Sequence, residues 1–564
     1  MAWREGGNEL FKKREYSKAI WEYSRALADH PDDHLLISNR AEAFLKLKQY
    51  TEAYHDALDV TQKCDTDVKG YYRLGRALTG LDRFEEARTT LETAYRLDRA
   101  NAAVVAELRS VRALVLSRRK IKWTQLLRTL LGEAKSCSKL YSDQDDYVGD
   151  VEVQHTYTGK GRGLFATHDI PAGTVVLACK ALAMVYSDEG ETSSEVTGPV
   201  DYSGRLVDKL LDSLVEKLSV SCDSGNPTEL QEKISCLCIG SGPSTPRPKS
   251  VSDENRDSEA TRDWVSPIVQ YNAFASTSWD PLSSIEFANS SEAPELETAI
   301  AVNRPTSMFV FGYGLWNLPS YVNHNCLFNA FRFTIGDFFV LVSTRDICAT
   351  EEITTYYVRP DEQDRRRTMK ADYGFVCKCL LCTAETSLPR EAHGYVAAAR
   401  EKLEAVSEQV VKYDTDCMPD LKLCLTYARQ ADDRKLLRPN RVLCNILTAM
   451  VTLYAHGKSW DFAVDALNSA YDSLVGKPRK EDADDLDVAF GGGSASPEPL
   501  IVELAIQMCC VLSRQRRFNE ARKWLQRARD MSLLLYAVSD VAEAYFGHHF
   551  RLAEQGLAEG RSKR

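Results

Sequence analysis

The chain has 564 residues, 44% of them hydrophobic, and a net charge of −10. That length predicts several domains and the apolar content an ordinary globular chain. The acidic balance argues against general nucleic-acid binding and suits a basic peptide substrate. No apolar run reaches the length of a membrane span. The polar start, Met1-Ala2-Trp3-Arg4-Glu5-Gly6-Gly7, predicts no secretory leader. Sixteen cysteines without such a leader predict a reducing compartment, cytoplasmic or nuclear, in which thiols bind metal or stay free.

The first hundred residues repeat. Gly7, Ala41 and Gly75 stand 34 positions apart, as do Tyr16, Tyr50 and Phe84, and Ala19, Ala53 and Ala87. Small residues let paired helices approach and aromatics fill the gap between neighbours. A 34-residue step of this kind is the tetratricopeptide signature. Three helix-turn-helix units over residues 1–100 are expected, rather than an unrelated helical bundle, with Pro31 stopping a helix at the end of the first.

Stacked repeats form a concave, peptide-binding surface. Its positions here carry Arg4, Asn8, Asn39, Lys69 and Arg73, with Arg4 and Asn8 sharing one helical face and Lys69 and Arg73 another. Their spacing resembles the dicarboxylate clamp of chaperone-binding tetratricopeptide domains. The resemblance implies a partner ending in Glu-Glu-Val-Asp, its carboxylates held by charge-assisted bonds. Arg4 stands where the family usually has lysine. The same residues would also serve as a plain solvated face, and the groove would also serve to hold another domain of the chain or a substrate.

A helical connector, residues 101–147, follows. Its run Arg118-Arg119-Lys120-Ile121-Lys122 has the composition of a nucleic-acid or nuclear-import patch, but reads better as a solvated helix face.

Residues 148–375 read as one domain with an insertion at about 187–263. Val151 to Gln154 alternates as a strand does. Gly159-Lys160-Gly161-Arg162-Gly163-Leu164-Phe165-Ala166 is a glycine-rich turn between strands. Within the insertion, Leu206 to Leu218 is a candidate helix. Residues 240–262 are rich in Ser, Pro, Gly and charge and read as a disordered loop. The chain resumes near Trp264 and runs through Tyr271-Asn272-Ala273-Phe274 to Asn323-His324-Asn325-Cys326. Then come Arg345-Asp346-Ile347, Glu351-Glu352-Ile353-Thr354-Thr355-Tyr356-Tyr357 and Cys377-Lys378-Cys379-Leu380-Leu381-Cys382. Three cysteines within six residues, with a fourth beside a histidine upstream, suit a closed tetrahedral zinc site. The bland alternative is half-buried thiols, and a disulfide is disfavoured without a secretory context.

Together these motifs resemble a SET-domain lysine methyltransferase of the SET-and-MYND type. The resemblance implies a β-rich domain in which the Asn323 stretch threads under the segment holding the catalytic tyrosine, as a pseudoknot. It implies S-adenosylmethionine held by Lys160, Gly161, Arg162 and Gly163, by Asn272 and Asn323, by the backbone of His324, and by Phe375 stacked on the adenine. Tyr357 falls on the catalytic tyrosine, and Tyr356 and Tyr373 are candidates for the wall of an aromatic substrate channel. Cys326, Cys377, Cys379 and Cys382 would share one structural zinc, the last three in a post-SET segment at 376–387. Asn325 departs from the family's serine and Thr350 from its glycine. Only Cys222, Cys236 and Cys238 lie in the insertion, too few for the two-zinc MYND finger, which is expected to be absent; a metal on Cys236 and Cys238 is disfavoured.

Residues 388–564 read as helical, with spacing in Val442–Leu453, Ala463–Leu474 and Leu500–Leu512. Arg517 to Arg522 resembles a degenerate tetratricopeptide turn, and Gly491-Gly492-Gly493 with Pro497 and Pro499 reads as a loop. The expected whole is a multidomain α+β chain: a tetratricopeptide α-solenoid, a β-rich SET domain with a zinc site, and a C-terminal helical domain walling the substrate cleft. The expected activity is methyl transfer to lysine of a histone or non-histone protein. The alternative is a non-catalytic co-chaperone or scaffold carrying an inert SET domain.

Overall fold

A computed structural model describes residues 2–134, 141–156, 161–186, 199–219, 230, 233–234, 237, 258–279, 309–358, 365–432, 441–475 and 499–562. Residues 240–257 of the loop expected at 240–262, the loop at 491–498, and Cys222, Cys236 and Cys238 lie outside these residues, as do Lys160 and the side chain of Arg4; residues 258–262 are not loop but the start of a helix. Two compact units emerge, Met1–Lys122 and Trp123–Arg564.

The first unit is built of helical hairpins: Ala2–Lys12 with Tyr16–Asp29, His34–Lys46 with Tyr50–Lys63, and Val68–Gly80 with Phe84–Leu97. The long helix Ala102–Ala134 begins within it. Asp33 and Asp67 cap the hairpins' first helices by accepting from the amides of Leu35 and Lys69, and Asn101, another 34 residues on, accepts from Val104. Such side chains satisfy amides that have no partner within the helix. Each hairpin turns on a residue in the left-handed region, Arg14, Lys48 and Asp82, at φ 62°, 59° and 58°. Across each turn an amide bonds five residues back: Glu15 to Leu10, Gln49 to Phe44, Arg83 to Leu78. This closes the helix in the Schellman manner.

The 34-residue slots are matched in size across each hairpin. A Cβ on Gly7 would stand 2.4 Å from the Tyr23 ring, and one on Gly75 would stand 2.5 Å from Leu91. In the middle unit the corresponding residues are Ala41 and Ala57, both in one buried cluster. Glycine faces the large partner and alanine the small one. The basic run at 118–122 is partly absorbed by the same packing. Arg118 donates to the Asp82 carbonyl and lies 4.8 Å from the Phe84 ring, and Arg119 bonds Glu85.

Among its described residues the second unit holds eleven strands: β1 Tyr147–Val148, β2 Val151–His155, β3 Arg162–Ala166, β4 Val175–Lys180, β5 Ala183–Tyr186, β6 Ala273–Trp279, β7 Phe309–Leu315, β8 Asn323–His324, β9 Ala330–Ile335, β10 Phe338–Ser343 and β11 Glu352–Thr355. They form three sheets, ordered β1-β4-β10-β9, β2-β3-β11-β8 and β5-β7-β6. Leu164, Leu177, Trp316, Phe339, Leu341 and Ile353 fill the core between them. The candidate helix at Leu206–Leu218 lies within Pro199–Ser219 and adds Leu210 and Leu214 to that core. The helix Ser258–Asn272 adds Val265 and Ile268.

The C-terminal part is helical: Arg390–Val411, Met418–Asp432, Arg441–His456, Trp460–Val475, Pro499–Arg514, Phe518–Tyr536 and Ser539–Ser562. Pro499 is not in a loop. It opens a helix, where its missing amide would have had no partner in any case. Tyr413, Lys458 and Arg516 again turn at φ 56°, 54° and 63°. The same five-residue bonds join Asp414 to Gln409, Ser459 to Tyr454 and Arg517 to Leu512. The turn read at Arg517 is thus one of three with the geometry of the N-terminal repeats. An aromatic seam ties this part to β9. The Tyr536 ring lies 5.6 Å from Phe331 and 5.1 Å from Phe333, and stacks on Tyr545 at 4.4 Å.

Overpacking of this kind costs about 1–3 kcal/mol, so Gly75→Ala is expected to loosen the repeat domain by about 2 kcal/mol. In the double variant Gly75→Ala/Leu91→Ala, which rebuilds the middle unit's pair, the loss should fall at least ~1 kcal/mol short of the sum of the single losses. Hydrogen exchange of the repeat amides reads both quantities.

Candidate active site and thiolate cluster

The site forms where β8 pairs with β11. The pairing is parallel, Asn323 opposite Thr354 and His324 opposite Thr355, and the Asn325 amide extends it to the Thr355 carbonyl at 2.9 Å. Asn323 Nδ2 donates to the Glu352 carboxylate at 2.7 Å and to the Arg162 carbonyl at 3.0 Å. Only glycine fits next to this pair. A Cβ on Gly163 would stand 2.6 Å from Glu352 Oε1 and 3.0 Å from Asn323 Nδ2. Gly161 turns at φ +89° with open space where a Cβ would be.

Tyr357 is held at both ends by the segment that carries Asn323. Its amide donates to His324 Nδ1 at 2.9 Å and its hydroxyl to the Val322 carbonyl at 2.9 Å. Its ring lies 5.6 Å from His324, 5.0 Å from Tyr373 and 6.2 Å from Phe375. The structure therefore brings His324, Tyr357, Tyr373 and Phe375 together, with Asn323 next to His324 on β8 and its side chain on Glu352 and the β3 backbone. Tyr356 belongs to a different cluster, 5.2 Å from Phe328 and 6.5 Å from Phe331, with the Arg332 guanidinium 5.8 Å from its ring. Asn272 is buried at the end of its helix, where its Nδ2 donates to the Ile268 carbonyl. Its own carbonyl accepts from Ser320, just ahead of the Asn323 segment.

Both departures from the family motif keep their geometry. Asn325 Oδ1 accepts from the Leu327 amide at 2.9 Å, a local turn that a serine hydroxyl makes more weakly. Thr350 takes the glycine's left-handed conformation at φ 69°, a costly one for a β-branched residue, and donates to the Ala166 carbonyl at 2.7 Å. Glu351 is buried enough to raise its pKa, but Arg345, the Cys348 amide and Asn329 outweigh burial and hold it below the ordinary value.

Sequence reasoning missed Asn329. Its amide donates to the Glu352 carbonyl and the Glu351 carboxylate, while its Oδ1 accepts from the Thr354 amide at 2.8 Å. It fixes β11 along its length, yet nothing in the residue types around it marks it.

Cys326, Cys377, Cys379 and Cys382 place their sulfurs within 4.8 Å of one another, with Cys326 4.0 Å from Cys377 and 3.5 Å from Cys382. Zinc–sulfur bonds of about 2.3 Å in a tetrahedron put sulfurs about 3.8 Å apart, so the cluster fits a closed, structural zinc site. Mutual hydrogen bonding among the four lowers Cys377 and Cys379 and raises Cys326 and Cys382 from the ordinary thiol value, so the sulfurs form one coupled donor set; a metal would bind them as thiolates. Arg365, also missed, is buried with Nη2 3.9 Å from Cys382 Sγ and paired to Glu385. It is a cation set against the cluster's negative charge.

The residues around Gly163 also fit a cofactor. Glycine leaves the β3 backbone open to close approach. The buried Thr355 hydroxyl, beside His324 in register, has no hydrogen-bond partner among the described residues.

In the first unit, Asn39 donates to Asn8 Oδ1 at 3.1 Å, as does Tyr23 at 2.8 Å. Burial pushes the Tyr23 phenol up to about 12, opposed by nearby Arg73. Arg73 donates to Glu42 at 3.1 Å and to Ser38. Lys69 is exposed, with no ion pair among the described residues.

Residues 161–358 match the SET domain family and residues 68–101 the tetratricopeptide repeat. The chain is similar to a methyltransferase of Gibberella zeae, 22% identical over 396 residues that cover 67% of this chain and 51% of the relative. It is similar to the heat shock protein sti1 homolog of Schizosaccharomyces pombe, 35% identical over 107 residues, 19% of this chain and 18% of that one. Among solved structures, the first TPR of Spaghetti (RPAP3) bound to the HSP90 peptide SRMEEVD is 30% identical, covering 20% of this chain and 90% of that chain with a TM-score of 0.20. The chain thus spans 18% and 51% of the length of the two curated relatives. It carries a SET domain with a tetratricopeptide repeat on its N-terminal side.

Metal analysis of the purified chain is expected to find one zinc, retained on dialysis. Cys379→Ser should lose most of it, because three thiolates and a hydroxyl bind zinc less well.

Proposed function

We propose that this chain transfers a methyl group from S-adenosylmethionine to a lysine of a protein substrate. One observation carries the reading: the β8–β11 pairing, within a matched SET domain, sets His324 and Tyr357 against Tyr373 and Phe375, with Asn323 next to His324 on the strand. Bound there, S-adenosylmethionine would supply an electrophilic methyl carbon on a sulfonium. Gly161, Gly163 and Asn323 would hold it, with the His324 backbone and Phe375 at its adenine, and Lys160, Arg162 and Asn272 in the places the family resemblance gives them. The substrate lysine must attack as a neutral amine. Aromatic walls at Tyr357 and Tyr373 hold its apolar stem and strip water from its tip, which favours the neutral form. When bound, the cofactor would supply a methyl for the lysine nitrogen, its carbon–sulfur bond breaking with the electron pair left on sulfur, and the surplus ammonium proton would pass to solvent. The Tyr357 hydroxyl orients nitrogen and methyl rather than acting as nucleophile. Alignment supplies much of the acceleration. The zinc on the four cysteines is structural, and the helical residues after 388 border the substrate cleft.

A second role belongs to the first unit. Asn8, Asn39, Lys69 and Arg73, with Arg4, form a site for a terminal carboxylate of the Glu-Glu-Val-Asp kind. The similarity over 107 residues to a heat shock protein, the sti1 homolog, supports a chaperone-related role, and the exposed ammonium of Lys69, with no ion pair among the described residues, supports the site. The chain would work in the cytoplasm or nucleus.

Calorimetry should show saturable S-adenosylmethionine binding. Tyr357→Phe should keep that binding and lose about 100-fold in methyl transfer to lysate protein. Absence of binding at tens of micromolar would favour the non-catalytic scaffold, and full transfer by Tyr357→Phe would remove the tyrosine from its role. Lys69→Ala should abolish binding of a Glu-Glu-Val-Asp peptide by removing a charge-assisted bond; equal binding by the variant would defeat the clamp.

A further inference from the structure

The His324 ring stands between the tyrosine and the thiolates, and its two nitrogens have different partners. Nδ1 lies 2.9 Å from the Tyr357 amide. An amide N–H can only donate, so Nδ1 must be the bare nitrogen. In the neutral ring the proton then sits on Nε2, which lies 3.2 Å from Cys326 Sγ. Nε2–H therefore donates to sulfur, and a metal-bound thiolate accepts such a bond strongly. His324 is only 5% exposed, so water does not compete for either bond.

From this we infer that the His324 side chain is a positioning residue through which the metal cluster sets the place of Tyr357. The thiolate fixes the tautomer, the tautomer leaves Nδ1 free to accept, and Nδ1 holds the tyrosine backbone. Without the sulfur's acceptor, only the Tyr357 amide is left to favour the Nε2–H form, and the ring, no longer held at Nε2, can turn so that Nδ1 no longer accepts. The tyrosine then loses the bond at its amide while its hydroxyl still donates to the Val322 carbonyl. The ring's further neighbours are Cys377 of the same cluster, which also hydrogen-bonds it, and the aromatic rings of Tyr357 and Phe375 at 5.6 and 6.0 Å. This role is distinct from that of the His324 backbone at the cofactor, and its catalytic consequence rests on the methyl-transfer reading above.

The test has two arms. In the full chain loaded with cadmium-113, with labelled histidine, the His324 ring should show the Nε2–H tautomer and a through-bond correlation from its proton to the metal. The opposite tautomer, or no correlation with cadmium bound, would overturn the inference, and neither readout depends on activity. In the second arm, His324→Asn keeps an acceptor near Nδ1 but cannot reach Cys326. It should retain one equivalent of zinc and the wild-type KM for S-adenosylmethionine, while kcat falls about 10- to 100-fold, as small misplacements do. Unchanged kcat, or a fall accompanied by loss of zinc, would overturn it. A wild-type chain with no transferase activity would defeat the methyl-transfer reading alone, since the cadmium arm still decides the linkage.

Discussion

The second unit depends on a two-residue parallel pairing, Asn323–His324 against Thr354–Thr355. It is too short to be stable as a free ladder, and parallel strands need a long connection between them. Side chains sustain it instead. Asn323 ties it to Glu352 and the β3 backbone, Asn329 fixes β11 from the other side, and His324 catches the amide just past its end. Each is a buried or half-buried polar group with its partners supplied, the condition under which such a network specifies one arrangement rather than weakening the core.

The four cysteines close what that pairing opens. Cys326 follows β8 directly, while Cys377, Cys379 and Cys382 follow Tyr373 and Phe375, so a metal at their centre would bind the segment behind the cofactor residues to the segment carrying the aromatic wall. Loop closure on this scale grows costly only slowly with length, and one metal can offset it. Cys379 also starts the helix Leu380–Thr386, its sulfur accepting from the Cys382 amide, so helix and cluster form together. Arg365 sets one positive charge against the cluster, and its pair with Glu385 holds it there.

Several of these features were legible in the sequence because their chemistry is uncommon. Thiols at metal spacing and the Asn-His and Glu-Glu motifs stand out against any background. The 34-residue repeat was legible because its slots are defined by side-chain size. Other features were not, for physical reasons. The six hairpin turns share one conformation, yet their left-handed residues are Arg14, Lys48, Asp82, Tyr413, Lys458 and Arg516. A glycine or asparagine would have announced the turn. Here the packed helices on either side impose the conformation and composition leaves no mark. Asn329 and Arg365 were missed for a similar reason: each acts on backbone or sulfur far away in sequence.

The placement of Tyr356 shows where neighbourhood in sequence misleads. Read from the motif, Tyr356 and Tyr357 stand side by side and invite a common role. At the end of a strand, successive side chains leave on opposite faces, and the two rings go to separate places: Tyr357 to His324, Tyr373 and Phe375, Tyr356 to Phe328, Phe331 and Arg332. Phe331 in turn touches Tyr536 of the C-terminal helices. One tyrosine therefore belongs to the candidate chemistry and its neighbour to the seam that seats the helical region on the sheet. A change in that seam would reach Tyr357 through a single peptide bond, a second link between the helical region and the site beside the packing of Ala392 in the cluster that holds Tyr373 and Phe375.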